Sequence, residues 1–125
     1  VIWPAVHPCR DGFTGMAIIL EMMATRSGNI ETIMKSMPKY FTVNRKISCL
    51  GSRVSRKVIR ELREKYISQK PNTIDGIRID WDDRWVLVRP SNTEPVIRIT
   101  AEAKNGKIAE TLAAKFAEET AKIIS

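Results

Sequence analysis

Apolar side chains recur every three or four residues near the start of the chain, and this spacing predicts a helix over residues 12–26. Asp11 is placed to cap its beginning, and Ser27-Gly28 is a typical stop signal. Asn29 is placed to cap a second, short helix over residues 30–36. Apolar residues occur all round the first helix, which predicts burial on more than one side; they are Phe13, Met16, Ala17, Ile18, Ile19, Leu20, Met22 and Met23.

The spacing of apolar residues changes near Tyr40. Residues 41–49 alternate between apolar or long side chains and small or polar ones, which predicts a half-buried strand. Gly51 interrupts this alternation, and Ser52 is the expected cap of a helix over residues 53–67. One face of that helix is apolar and consists of Val54, Val58, Ile59, Leu62 and Tyr66.

Three further strands and a final helix complete the pattern. The apolar spacing predicts strands over residues 74–81, 84–88 and 96–102, the first two joined as a hairpin, and a helix over residues 107–124. From residue 40 the order is therefore β-α-β-β-β-α. Such an order predicts an α+β fold in two layers, in which both helices cover one face of a mainly antiparallel sheet.

Composition narrows the class of protein. The 125 residues include 21 Lys and Arg against 14 Asp and Glu, a formal charge of +7, and 43% hydrophobic residues, which is typical of a globular chain. No apolar run approaches the roughly 20 residues of a membrane span. Only two cysteines are present, so we expect reduced thiols and a cytoplasmic location, with a single disulfide as the alternative. The chain opens at Val1 without a methionine, so we expect a piece of a longer protein.

The segment that joins the third and fourth predicted strands carries the clearest chemistry. Ser91 and Thr93 offer hydroxyl groups, and Asn92 tolerates a left-handed backbone that lets neighbouring N–H groups converge. Arg89 and Arg98 offer planar forks of donors that match phosphate oxygens. These residues predict a cradle for a phosphate monoester, and the alternative is a polar turn with solvated arginines.

The order of these residues carries information beyond their chemical types. Arg-Pro-Ser-Asn-Thr-Glu-Pro-x-x-Arg, starting at Arg89, closely resembles the phosphate-binding loop in the last domain of the α-D-phosphohexomutases. That family includes phosphoglucomutase, phosphomannomutase and phosphoglucosamine mutase. Val1–Pro4, Met37–Tyr40, Asp75–Ile77 and Ile99–Ala103 also resemble segments of the family, so the resemblance covers nearly the whole chain.

The resemblance implies a domain organisation and a set of site residues. Residues 1–39 would be the end of the family's third domain plus a linker. Residues 40–125 would be the C-terminal phosphate-binding domain, with a fold like that of the TATA-binding protein. Glu94 would keep the loop in shape, because a carboxylate repels phosphate. The residues implied to bind or support the substrate phosphate are Arg89, Ser91, Asn92, Thr93 and Arg98.

The resemblance also implies the activity of a longer parent. A phosphohexomutase is an isomerase that moves a phosphoryl group between C1 and C6 of a hexose. It acts through a phosphoserine and a hexose 1,6-bisphosphate, with Mg²⁺. In the family those parts lie in other domains, so we expect no catalytic residue and no metal ligand in this chain, and no activity from it alone. Glucose, mannose and glucosamine phosphates all remain possible substrates, and the expected partners are the remaining domains.

Nucleic acid is the alternative ligand that a charge of +7 suggests. The basic residues are, however, spread along a helix face with glutamates between them. The sequence also contains no aromatic and basic stretch of the kind that reads RNA. We therefore favour a sugar phosphate and keep a stand-alone nucleic-acid-binding domain as the alternative.

Overall fold

The computed structural model describes residues 1–26, 29–49 and 51–125. By their contacts, the described residues form two compact units, Val1–Pro38 and Lys39–Ser125. The predicted stop signal at Ser27-Gly28 lies outside the described residues.

The first unit contains helices α1 (Gly12–Thr25) and α2 (Ile30–Ser36). Both predicted N-caps are confirmed. An Asp11 carboxylate oxygen accepts from the Phe13 N–H at 2.8 Å, and the Asn29 side chain accepts from the Thr32 N–H at 2.9 Å. These bonds satisfy backbone donors that have no partner inside the helix, and so they fix where each helix begins.

The prediction that α1 is buried on more than one side is wrong. Only Thr14 is buried in this helix, while the Phe13 side chain is 83% exposed and Met16 and Leu20 are also exposed. A helix buries a second face only against a second apolar surface. Within the described part of this unit, the only other helix is the seven-residue α2, and no strand is present that could offer α1 a sheet surface.

The second unit is built on one four-stranded sheet. Its strands are β1 (Phe41–Ser48), β2 (Ile77–Asp80), β3 (Arg84–Pro90) and β4 (Val96–Ala103). They lie in the order β1-β4-β3-β2, and every neighbouring pair is antiparallel. The predicted α+β class with a mainly antiparallel sheet is confirmed.

Helices α3 (Ser52–Lys65) and α4 (Gly106–Ile124) contribute to a single core with one face of the sheet. Alternate strand residues reach this core, since successive side chains point to opposite faces. Cys49 is part of the core, and burial raises the pKa of its thiol, which favours the unreactive form. The largest fully buried side chains are Phe116, Leu62, Ile77, Ile79, Ile97, Ile99, Val58, Val86, Val88 and Thr120.

Several predicted boundaries differ from the structure. Strand β3 extends to Pro90, two residues beyond its predicted end, so Arg89 lies in the strand and not in the loop. Gly51, not Ser52, is the N-cap of α3; it has φ of 92°, and Ser52 is already the first helical residue. Positive φ is readily adopted by glycine, so the chain makes its turn one residue earlier than the side-chain pattern suggested. Strand β2 begins at Ile77 rather than at residue 74, and Ile74 is 92% exposed.

Thr120 gives a test of this core. Its hydroxyl is buried, and no described group forms a hydrogen bond with it. A buried hydroxyl without a partner costs free energy, and valine has nearly the same shape. We expect Thr120→Val to raise the free energy of unfolding by about 1 kcal/mol in urea denaturation.

Thr120→Ser is the matched control. It keeps the hydroxyl and removes one methyl group, so it should lower the free energy of unfolding by about 1 kcal/mol. A loss of stability in Thr120→Val would contradict the absence of a partner for this hydroxyl.

Candidate functional site

The register of the sheet brings three cations into one row. Lys46 on β1 lies directly opposite Arg98 on β4, and Arg98 lies directly opposite Arg89 on β3. Their neighbours Val88 and Ile99 are fully buried on the helix side. Because side chains alternate along a strand, the three cations lie on the other face. We call Lys46, Arg98 and Arg89 the cationic row.

Two carboxylates offset part of the positive charge of this row. Like charges directly opposite each other on a sheet are destabilising. Glu94 accepts from Arg98 Nη2 at 2.6 Å and from Lys46 Nζ at 3.2 Å, and Asp75 lies 3.6 Å from Arg89 Nη1. Lys46 and then Arg98 lower the pKa of the Glu94 carboxyl, which therefore stays ionised.

The loop between β3 and β4 folds back on itself beside the row. Ser91 Oγ accepts from the N–H of Thr93 at 3.4 Å and of Glu94 at 3.3 Å. The Ser91 N–H donates to the Val96 carbonyl at 2.9 Å, which closes the loop. At its far end, the Pro95 carbonyl accepts from the Cys49 N–H at 2.8 Å, which ties the loop to the end of β1. Backbone contacts at both ends thus position the polar groups of the loop.

At Gly76 the backbone passes very close to the backbone of Val88 and Arg89 on β3. A Cβ atom at Gly76 would lie 2.3 Å from the Val88 carbonyl oxygen and 2.8 Å from the Arg89 Cα. Its φ of 83° is also one that other residues rarely adopt. Only glycine therefore lets the chain pass here and place Asp75 beside Arg89.

The structure brings the five predicted site residues to one end of the sheet. Arg89 lies within β3 and Arg98 within β4, while Ser91, Asn92 and Thr93 belong to the loop between them. Asn92 and Thr93 are exposed to solvent.

Sequence reasoning gave no site role to three neighbours of these residues. Asp75 and Gly76 lie in a segment that resembles the family, but this resemblance does not indicate that they lie beside Arg89. Lys46 lies 43 residues before Arg89 in the chain. The alternation of β1 places Lys46 on the polar face, but no local signal shows that β1 pairs with β4.

The chemistry of this end of the sheet is that of anion binding. Two guanidinium forks, an ammonium and two hydroxyls can bind and orient several oxygens of one phosphate. In the described ranges, no group of three or more His, Cys, Asp or Glu side chains could hold a metal ion. The Mg²⁺ implied by the resemblance therefore does not fit a site here. No described helix is both long and apolar enough to cross a membrane.

Comparison with known proteins identifies the class to which this fold and site belong. Residues 31–119 match the family model described as the C-terminal domain of phosphoglucomutase/phosphomannomutase. The chain therefore belongs to the phosphoglucomutase/phosphomannomutase family and contains its C-terminal domain.

Several curated relatives are phosphoglucosamine mutases by name. A probable phosphoglucosamine mutase of Pyrococcus horikoshii is 41% identical over 117 residues, which is 91% of this chain and 26% of that protein. The phosphoglucosamine mutase of one Methanococcus maripaludis strain is 36% identical over 110 residues, or 86% of this chain and 24% of that protein. The chain thus spans about a quarter of the length of the curated relatives it matches.

A solved structure supports the fold. The crystal structure of a phosphoglucomutase/phosphomannomutase family protein from Burkholderia thailandensis superposes with a TM-score of 0.70 at 24% identity. The match covers 94% of this chain and 25% of that one. These matches are to sugar-phosphate mutases and give no support to the nucleic-acid alternative.

The ion pairs of Glu94 give a pH-dependent prediction. Because its pKa is lowered in the folded state, the pairing stabilises the fold above the unfolded pKa and is lost as the pH falls through the lowered value. We expect Lys46→Met to raise the Glu94 pKa towards its ordinary value. A ¹³C NMR titration of the side-chain carboxyl measures this.

Lys57→Met is the control, since Lys57 lies on α3 and pairs with Glu61. It should leave the titration of Glu94 unchanged. An unaltered Glu94 pKa in Lys46→Met would show that the two side chains are not coupled in solution.

Proposed function

We propose that this chain supplies the substrate-phosphate site of a phosphohexomutase that acts on hexosamine phosphates. The observation that carries the proposal is the cationic row beside the loop Ser91–Pro95, in a chain that belongs to this family. The names of the relatives favour an amino sugar over glucose or mannose. A relative from Sulfurisphaera tokodaii, 35% identical, is named for both glucosamine and galactosamine phosphates.

Each residue of the site has a role in the proposal. Arg89 presents its fork of donors to two phosphate oxygens. Ser91 and Thr93 add hydroxyl donors, and Asn92 lies between them at the exposed tip of the loop. Arg98 and Lys46 are held by Glu94 and can turn part of their donor capacity towards the ligand.

The remaining parts of the reaction would come from elsewhere in a longer parent. Residues 40–125 would be the C-terminal domain, and residues 1–39 would end the domain before it. The parent would move a phosphoryl group between C1 and C6 through a phosphoserine and a hexose 1,6-bisphosphate, with Mg²⁺ supplying charge stabilisation. This chain would bind the phosphate that does not react, and binding energy from a remote group orients the reacting end. We place this activity in the cytoplasm.

The two arginines of β3 provide a matched test of the site. Arg84 and Arg89 lie at opposite ends of the strand, and their side chains are 38% and 37% exposed. An NMR titration of this chain with glucosamine 6-phosphate measures the dissociation constant. Arg89→Ala should weaken binding about 10- to 100-fold, since it removes a charge-assisted fork. Arg84→Ala should change the dissociation constant less than about twofold, because exposed distant charges are screened.

Two further variants sharpen this test. Arg89→Lys should restore only part of the affinity, because an ammonium group cannot reproduce the fork. Ser91→Ala should weaken binding about five- to tenfold through loss of one neutral donor. If Arg84→Ala and Arg89→Ala lose affinity equally while both stay folded, the phosphate does not bind at the cationic row.

The chain alone should show no mutase activity. It spans about a quarter of the length of its relatives, and the family resemblance implies that the reacting groups lie in other domains. A coupled assay with glucosamine 6-phosphate, a hexose 1,6-bisphosphate and Mg²⁺ should give no turnover above background. Turnover by a preparation that is free of contaminating mutase would contradict the proposal that the reacting groups lie in other domains.

A further inference from the structure

A second concave surface lies at the other end of β3, on the helix side of the sheet. It is a cavity of about 640 Å³, within the range of sites for small molecules. Apolar walls come from Tyr66, Trp81 and Ile108. Arg84 opens β3, whereas the cationic row lies where β3 ends, and the row is on the opposite face. The cavity is therefore separate from the phosphate site.

The charged side chains that line this cavity are all basic. Arg84, Lys107 and Lys115 line it, and none of the side chains that line it is acidic. Within the described ranges, Lys107 and Lys115 form no ion pair, whereas Lys122 on the same helix pairs with Glu118. Asp83 lies 3.6 Å from Arg84 Nη1 and accounts for one of the three positive charges.

The aromatic walls are neutral and already attract cations. Lys115 Nζ lies 5.4 Å from the centre of the Tyr66 ring, and Arg84 Cζ lies 5.6 Å from the centre of the Trp81 ring. The Tyr66 hydroxyl donates to Glu119 at 3.0 Å. Burial and then this hydrogen bond raise its pKa to about 12, so the phenol stays protonated.

We propose that this cavity binds a planar apolar anion, an aromatic ring that carries a carboxylate or a sulfonate. The ring would lie against Tyr66, Trp81 and Ile108, and the acid group would bind Lys107 and Lys115. An apolar floor with positively charged side chains at its rim has this chemical preference. The ligand differs from a sugar phosphate, whose body is polar.

The three tryptophans of the chain allow a direct test. Trp81 lines the cavity; Trp85 lies on the opposite face, where its indole donates to Glu102; and Trp3 belongs to the first unit. In a titration with naphthalene-1-sulfonate, the indole N–H signal of Trp81 should shift. We expect a dissociation constant of about 1 mM for a ligand of this size. The signals of Trp85 and Trp3 should stay in place, and Trp→Phe variants assign all three.

The charge preference is tested with matched lysines on α4. Lys107→Gln with Lys115→Gln should weaken binding of naphthalene-1-sulfonate about three- to tenfold. Lys122→Gln, which lies outside the cavity, should leave the dissociation constant within about twofold. Naphthalene-1-sulfonamide is neutral, so it should bind the unaltered chain more weakly than the sulfonate does. Its dissociation constant should be the same for the unaltered chain, for Lys107→Gln with Lys115→Gln, and for Lys122→Gln.

Two results would overturn the proposal. One is equal affinity for the sulfonate and the sulfonamide, which would mean a simple apolar cavity. The other is a shift of the Trp3 or Trp85 signal in place of Trp81, which would place the ligand on another surface. Circular dichroism of each variant shows whether a loss of binding reflects a loss of folding.

Discussion

The pairing register of β3 and β4 is the constraint on which the rest of the second unit depends. Val86 and Val88 on β3 and Ile97 and Ile99 on β4 are fully buried under the two helices. A slip of one residue in either strand would exchange the two faces, exposing these side chains and burying arginines. The apolar core therefore fixes where the arginines lie, although it does not touch them.

Much of this fold could be predicted from local signals in the sequence. Period-2 and period-3.6 patterns gave the order of strands and helices, and Asp11 and Asn29 correctly marked two helix starts. The wrong predictions for the start of α3 and for the burial of α1 share a cause. The N-cap at Gly51 depends on backbone conformation, and the exposure of α1 depends on which surfaces are available to it, so neither is encoded in a short window.

The candidate site shows the same difference between features that local sequence signals predict and features that depend on the rest of the fold. Arg89, Ser91, Asn92, Thr93 and Arg98 are close in the chain, so their pattern was visible. Lys46 reaches them only because β1 pairs with β4, and Asp75 only because Gly76 allows a close crossing. Contacts of this kind follow from sheet order and from the space between backbones, which a single sequence does not display.

The carboxylates beside the cationic row have a consequence for the lifetime of a complex. Arg98 and Lys46 already interact with Glu94, and Arg89 lies beside Asp75. A phosphate that bound here as proposed would exchange with these existing partners, and its net gain would be the difference between two similar attractions. The carboxylates also stay within reach and can recapture the cations when the ligand loosens. Such an arrangement would favour rapid release of a bound anion over tight retention.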